Sequence, residues 1–255
     1  MTTVGPVIAR YRRLLAEIRQ THPPEKRADE KRSDFFAFLI YRPVSFLVTP
    51  LFLLLGFSAD GVTAIGFGIA VAMPAAAWIF GAGAAGWVAG LGVAMMVLDC
   101  VDGSIARVTG RSSPVGGMLD GCCTLLFWAG YFVAVGALAY APEGGFVARH
   151  GREIGLALAV LLLTQRGLED AFDACTRERV RWEPPLPGAI GRTVSLANLG
   201  RPVEQLAAFG GLAVAGALGK LAWFAGGVAL YECALFALWL PRYVRAVAAS
   251  SRGGR

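Results

Sequence analysis

From about residue 58 onward the chain is built of long apolar runs separated by short polar or glycine-rich breaks. The runs fall at 61–80, 84–108, 113–141, 151–176, 201–218 and 220–246. Each approaches the roughly twenty residues that a helix needs to cross a hydrocarbon core about 30 Å thick. The pattern predicts an all-α polytopic membrane protein, with six transmembrane helices within residues 58–248. Glycine-rich turns at Gly81-Ala82-Gly83, at 141–145 and at Gly219 mark one side of the bundle. Residues 35–57 are also apolar, but Arg42-Pro43 and Pro50 interrupt them, which favours a juxtamembrane, interfacial or partly re-entrant segment over a seventh span. At the start of the chain Val4, Val7, Ile8, Tyr11, Leu14, Leu15 and Ile18 recur at helical spacing among Arg10, Arg12, Arg13 and Arg19. That is an amphipathic helix, suited to an anionic membrane surface or to packing on the protein or a dimer partner. Pro23 and Pro24 end it, and a charged linker completes residues 1–34. Residues 249–255 form a basic tail.

Of the 255 residues, 56% are hydrophobic, which excludes an ordinary soluble domain. The formal net charge is +6, yet the basic residues sit at the ends and in particular loops, so nucleic acid is not the expected partner. Lys and Arg crowd the region up to Arg42, the loop holding Arg107 and Arg111, the stretch 177–201 and the tail. The opposite turns hold only Arg149, Arg152 and Lys220. The positive-inside rule then places both termini and the loop near Arg107 in the cytoplasm of a cell whose inner membrane the chain crosses. The N-terminus has no cleavable signal pattern. Cys100, Cys122, Cys123, Cys175 and Cys233 are odd in number and form no CxxC pair, so they read as small core residues. His22 and His150 lie in polar stretches expected to be exposed.

Against this background residues 99–124 stand apart: DCVDGSIARVTGRSSPVGGMLDGCCT. A charge at mid-bilayer costs about 3 kcal/mol on insertion scales, so acids here need a ligand or a partner. Asp99 and Asp102 share a helix face, and Asp120 follows a short turn on the next helix, with Thr124 one turn beyond it. Antiparallel helices joined by so short a turn bring the three carboxylates together. A divalent cation relieves their repulsion, and oxygen ligands suit Mg2+ or Mn2+. An ion-pair cluster with Arg107 and Arg111 is the alternative, but it leaves Gly103, Gly116 and Gly117 unexplained.

The segment resembles the signature of the CDP-alcohol phosphotransferase family, Asp-x2-Asp-Gly-x2-Ala-Arg-x8-Gly-x3-Asp-x3-Asp. Asp99, Asp102, Gly103, Ala106, Arg107, Gly116 and Asp120 match it, and Thr124 stands where the family has its fourth aspartate. The resemblance implies that Asp99, Asp102 and Asp120 hold the metal and, through it, the diphosphate of a CDP-linked donor. It implies that Gly103, Ala106 and Gly116 border the nucleotide and that Arg107 lies beside the phosphates. The segment Asp60-Gly61-Val62-Thr63 partly resembles the family's Pro-Asn-x-x-Thr, which makes Thr63 a further nucleotide-binding candidate. The implied reaction transfers a phosphatidyl or other substituted phosphate group, with CDP-diacylglycerol the expected donor, to an acceptor alcohol with loss of CMP. Arg111, Arg166, Arg192 and Arg201 are candidates for holding a phosphorylated acceptor, although lipid contact and snorkelling also account for each. A homodimer among membrane lipids is the implied assembly.

Thr124 changes the expectation. In the family the fourth aspartate is a metal ligand and the presumed base, and threonine replaces neither role well. A positioned base is worth about 10²–10⁴-fold. The chain is then an active transferase with a base elsewhere, such as Glu169, Asp170 or Asp173, or a member that binds CDP-linked nucleotide or lipid without turnover, or one with a change peculiar to this sequence. A transporter using its acids for cation coupling would spread them across the bilayer, whereas these cluster.

Overall fold

The computed structural model describes residues 4–25, 37–176 and 206–253. The linker at 26–36 and the stretch 177–205, with Arg192 and Arg201, lie outside the described residues. Every regular element among the described residues is helical. Helix α1 is Val4–Gln20, and a π-helical turn at Ala37–Tyr41 leads into α2, Arg42–Leu54. Then come α3 (Ala59–Phe80), a 3-10 turn (Gly81–Ala84), α4 (Ala85–Thr109), α5 (Pro114–Ala139), the short α6 (Phe146–Arg149) and α7 (Gly151–Thr176). A π-helical turn at Leu206–Gly211 enters α8 (Leu212–Ala217), and α9 is Leu221–Gly253. The protein is an all-α polytopic membrane protein, and its helices fall within a few residues of the apolar runs. Ala59–Thr109, Pro114–Ala139 and Leu221–Ser250 are the described stretches that are both long and apolar enough to cross a bilayer. Helix α9 runs past residue 246, into what the sequence suggested as a tail, because neither Pro241 nor Arg245 stops it.

The described residues divide between two compact units, one drawn from 1–72 and 89–127, the other from 73–88 and 128–255. In the first, the C-terminal half of α1 packs on α2. Ile18 is fully buried, and Tyr11 Oη donates to the Leu47 carbonyl at 2.8 Å. Val7 and Ile8, in the N-terminal half, remain exposed beside the arginines. His22 is half-buried with its ring edge-on to Phe46 at 5.5 Å, so it does not stand in solvent as its polar neighbours suggested. Val62, Val101 and Ile105 form a buried cluster with Val48, Phe52 and Leu53, tying α2, α3 and α4 together. A Cβ on Gly66 would lie 2.9 Å from Cys123 Sγ and 3.1 Å from Met95 Sδ, so α3, α4 and α5 approach closely there.

The second unit is organised around a glycine seam. A Cβ on Gly151 would lie 2.6 Å from the Gly136 carbonyl oxygen, and one on Gly155 would lie 2.5 Å from that of Phe132. Backbone meets backbone where α5 crosses α7. Tyr131 Oη donates to the Ala208 carbonyl at 2.7 Å, and Trp128 stacks on Phe209. Arg152 is held between the rings of Trp78 and Tyr140, at 4.2 and 4.0 Å from their centroids. Cys100 and Cys123 are buried, but Cys122, Cys175 and Cys233 are exposed, against the expectation of core positions for all five. Cys122 and Cys233 lie on the apolar helices α5 and α9, where an exposed thiol facing lipid carries no penalty, whereas Cys175 lies at the polar end of α7.

Candidate functional site

Two serine caps set the helix starts that frame the site. Ser58 Oγ accepts from the Gly61 amide at 3.1 Å and begins α3 with Asp60 in its first turn. Ser113 Oγ accepts from the Gly116 amide at 2.9 Å and begins α5, with Pro114 at the first helical position. Helix α4 ends opposite these starts. The Arg111 amide reaches back to the Ala106 carbonyl at 3.0 Å and that of Gly110 to Arg107 at 3.3 Å, with Gly110 at φ 63°. This paired capping favours a residue that tolerates positive φ. A turn of only Gly110–Ser113 therefore returns the chain beside α4, and the acids at 99, 102 and 120 come into one neighbourhood.

Asp102 is the buried member, 8% exposed, and both its oxygens are engaged. Thr63 Oγ1 lies 2.9 Å from Asp102 Oδ2 and 3.2 Å from the Ala59 carbonyl, so its single proton is shared between them. The Gly103 amide donates to Asp102 Oδ1. Asp99 is exposed one turn earlier, and Asp120 is half-buried on α5. The Asp99 and Asp120 side chains are in hydrogen-bonding contact, and the Asp120 charge acts on Asp102 as well. Arg107 Nη2 donates to Ser104 Oγ at 3.2 Å, and that hydroxyl donates to the Cys100 carbonyl at 2.7 Å. A Cβ on Gly103 would meet Arg107 Nη1 at 3.3 Å, so the bare glycine gives the guanidinium its place. A Cβ on Gly116 would lie 3.5 Å from Asp60 Oδ1, and one on Gly117 would have nothing within 4 Å. Ala106 is half-buried one turn beyond Gly103, and Thr124 is half-buried one turn beyond Asp120.

The donor set suits a hard divalent cation: three carboxylates, two of them in mutual contact, where they repel unless positive charge is shared, with the nearby Cys123 thiol turned to the Thr63 carbonyl. Among the described residues no three His, Cys, Asp or Glu side chains form a ready-made ligand group. Asp102 is hydrogen-bonded to Thr63 and Gly103, while Asp99 and Asp120 meet each other. Of the arginines suggested for an acceptor, Arg111 is exposed just past α4. Arg166, in the second unit, pairs with the buried Glu169 at 2.9 Å, and Gln165 donates to the same carboxylate. Glu169 is thus occupied as a counter-ion, while Asp170 is exposed and Asp173 half-buried nearby on α7.

Two polar residues beside the site escaped the sequence reading. Arg42, which interrupts the apolar run before the first span, is 8% exposed and donates from Nη1 to the Cys100 carbonyl at 3.0 Å. Its charge acts on Asp99. A lone arginine inside an apolar segment was the available signal. Asp60, in the first turn of α3, lies against Gly116.

An all-helical membrane protein with acids gathered where two helices turn back on each other is the class these features define. Residues 44–186, more than half of the chain, match the family model of CDP-alcohol phosphatidyltransferase, and the protein belongs to that family of membrane transferases of phospholipid synthesis. No curated protein matches the chain.

Proposed function

We propose that the protein transfers a phosphatidyl or other substituted phosphate group from a CDP-linked donor, CDP-diacylglycerol in the first instance, to an acceptor alcohol. The acceptor oxygen bonds to the phosphorus carrying the lipid, the bond from that phosphorus to the bridging oxygen breaks, and CMP leaves. The hydroxyl proton passes to a base. The observation that carries this reading is the gathering of Asp99, Asp102 and Asp120, with Asp102 fixed by Thr63, inside a chain of this family.

Asp99, Asp102 and Asp120 are the residues that would hold Mg2+ or Mn2+, which when bound neutralises the diphosphate. Thr63 and the Gly103 amide orient Asp102, so that its carboxylate is set before substrate arrives. Arg107 is kept over Gly103, where a fixed fork of donors suits a phosphate oxygen. Gly116, Gly117 and Ala106 border room for the nucleotide. Arg111, Arg166, Arg192 and Arg201 remain the set from which a phosphorylated acceptor would be held. Six spans, both termini and the Asp-rich end in the cytoplasm, the inner membrane and a homodimer complete the proposal. The support for orientation is the distribution of Lys and Arg.

Thr124 favours a second reading. It stands one turn from Asp120, where a base would be expected, and Glu169 is engaged by Arg166 and Gln165. A protein that binds CDP-linked nucleotide or lipid without turnover fits those facts. Release of CMP from CDP-diacylglycerol, measured across a panel of acceptor alcohols for the wild type and Thr124→Asp, separates the two. The transferase reading expects release by the wild type with at least one acceptor. Silence of the wild type with a Thr124→Asp variant gaining about 10²–10⁴-fold over background identifies a dormant site. Silence of both, with nucleotide still bound, establishes the binding role.

A further inference from the structure

The helical turn of α4 that carries Asp99 and Asp102 is held from outside its own hairpin. Helix α2 begins at Arg42, and the side chain of that residue is buried against α4, where Nη1 donates to the Cys100 carbonyl at 3.0 Å. That carbonyl also accepts from Ser104 Oγ at 2.7 Å, so it carries more hydrogen bonding than an ordinary helical carbonyl. Tyr41 packs on Cys100 with Met96 and Val97, which excludes solvent beside the guanidinium. Ser45 Oγ donates to the Arg42 carbonyl at 2.9 Å and steadies the start of α2. The cation is fixed at a backbone atom one residue from Asp99, and Asp99 feels its charge. The Arg107 charge acts on Asp102. A buried arginine is costly unless it balances charge, and the nearest charge to balance is carboxylate.

We propose that Arg42 is a positioning residue and resident counter-charge for the Asp-rich site: it pins the Asp99–Asp102 turn through the Cys100 carbonyl and offsets carboxylate charge that a divalent cation would otherwise neutralise alone. The inference rests on the proposed metal-dependent function and adds to it a residue two positions before the region matched to the family. It carries a consequence that a mere packing role does not. A fixed positive charge beside Asp99 opposes an incoming cation, so removing it leaves the emptied site less stable while the divalent ion binds more tightly. At side-chain separations Coulomb interaction in a partly solvated site is large enough for a change of about tenfold in affinity.

The test uses the full-length protein in detergent or nanodiscs, comparing wild type, Arg42→Met and Arg42→Lys. Thermal unfolding is followed in EDTA and across a Mn2+ titration, and free Mn2+ is counted by electron paramagnetic resonance. Arg42→Met should melt below wild type in EDTA, recover much of the loss in saturating Mn2+, and bind Mn2+ about tenfold more tightly or better. Arg42→Lys, which keeps the charge and loses the planar fork, should hold Mn2+ affinity within about threefold of wild type while melting lower in EDTA. If Arg42→Met melts lower by the same amount with and without Mn2+, or binds Mn2+ no more tightly, Arg42 is a packing residue and the proposal fails. Should Arg42→Met not fold, an Arg42→Lys variant with Mn2+ affinity shifted tenfold either way also overturns it. A wild type that neither binds Mn2+ nor is stabilised by it overturns the metal-dependent function itself, and this inference with it.

Discussion

The Asp-rich end of the first unit and the helix seam of the second use glycine differently. In the second, Gly136, Gly151 and Gly155 put the backbones of α5 and α7 against each other, and a Cβ on any of them would strike main-chain atoms that cannot move aside. In the first, Gly103 faces the flexible end of Arg107, Gly116 faces Ser113 and Asp60, and Gly117 faces open space. A string of glycines in an apolar helix reads the same way in both places. The difference lies in what stands opposite: backbone at the seam, but a mobile side chain or open space at the glycines beside the acids. Buried polar chemistry divides along the same line. Asp102, Thr63, Ser104 and Arg42 are all buried in the first unit, and their hydrogen bonds converge on one short stretch of α4. In the second, Glu169 is buried but closed off by its neighbours on the same helix.

The strongest way to break this contrast is to add one methyl group to the seam. Gly136→Ala places its Cβ on the Gly151 carbonyl and within 2.9 Å of the Gly155 amide nitrogen, so α5 and α7 must separate along their length. Overpacking against backbone costs about 1–3 kcal/mol and more where the helices cannot shift. Thermal scanning in detergent should show a much lower melting temperature or no folded protein. A variant as stable as wild type would mean that the seam is looser than its geometry indicates.

How far the sequence carried is clear from particular elements. The helices on either side of Gly81-Ala82-Gly83 lay within two residues of their apolar runs, since length, hydropathy and glycine punctuation are local properties. The short turn after Arg111, with serine and proline opening the next helix, also followed from adjacent residues. Arg42 did not, because its partner is 58 residues away and no local pattern records that α2 would lie against α4. For the same reason Thr63 ranked as a weak candidate from a partial motif, while its hydroxyl proves to be a direct partner of Asp102. Arg152 counted as one of few cations on its side, and its aromatic clamp joins α7 to Trp78 of α3 and to Tyr140 just past α5. Pairings across helices were the illegible part.

A smaller effect sharpens the polar side of the comparison. Thr63→Val keeps the shape of the side chain but removes the donor to Asp102 Oδ2, leaving that oxygen without its cross-helix partner. Losing a hydrogen bond to a charged group costs about 1.5–3 kcal/mol, so CMP release should fall by roughly tenfold to a hundredfold. The protein should remain folded, because Val62 and its buried neighbours hold α3 independently of Thr63. Measuring kcat and KM separately gives the discrimination. A role in setting Asp102 should lower kcat or raise the KM for the CDP-linked donor, and activity equal to wild type would remove Thr63 from the site.

The smallest change in stability is expected at Gly117, and it tests the contrast most directly. A Cβ there has no heavy atom within 4 Å, so Gly117→Ala meets no steric obstacle in the protein and replaces glycine with a better helix former. Its melting temperature should stay the same or rise slightly, by the equivalent of up to about 1 kcal/mol. If the open space belongs to the nucleotide, the added methyl group intrudes on the ligand alone, and the affinity for a CDP-linked donor should drop several-fold in the same protein that has lost no stability. Calorimetry with CDP-diacylglycerol in nanodiscs reads that affinity directly. Unchanged affinity would place the nucleotide elsewhere along α5 and reduce Gly117 to an ordinary lipid-facing residue. A large loss of stability would mean that Gly117 belongs to a packing seam after all, like Gly136, and that the distinction between the two units fails at this position.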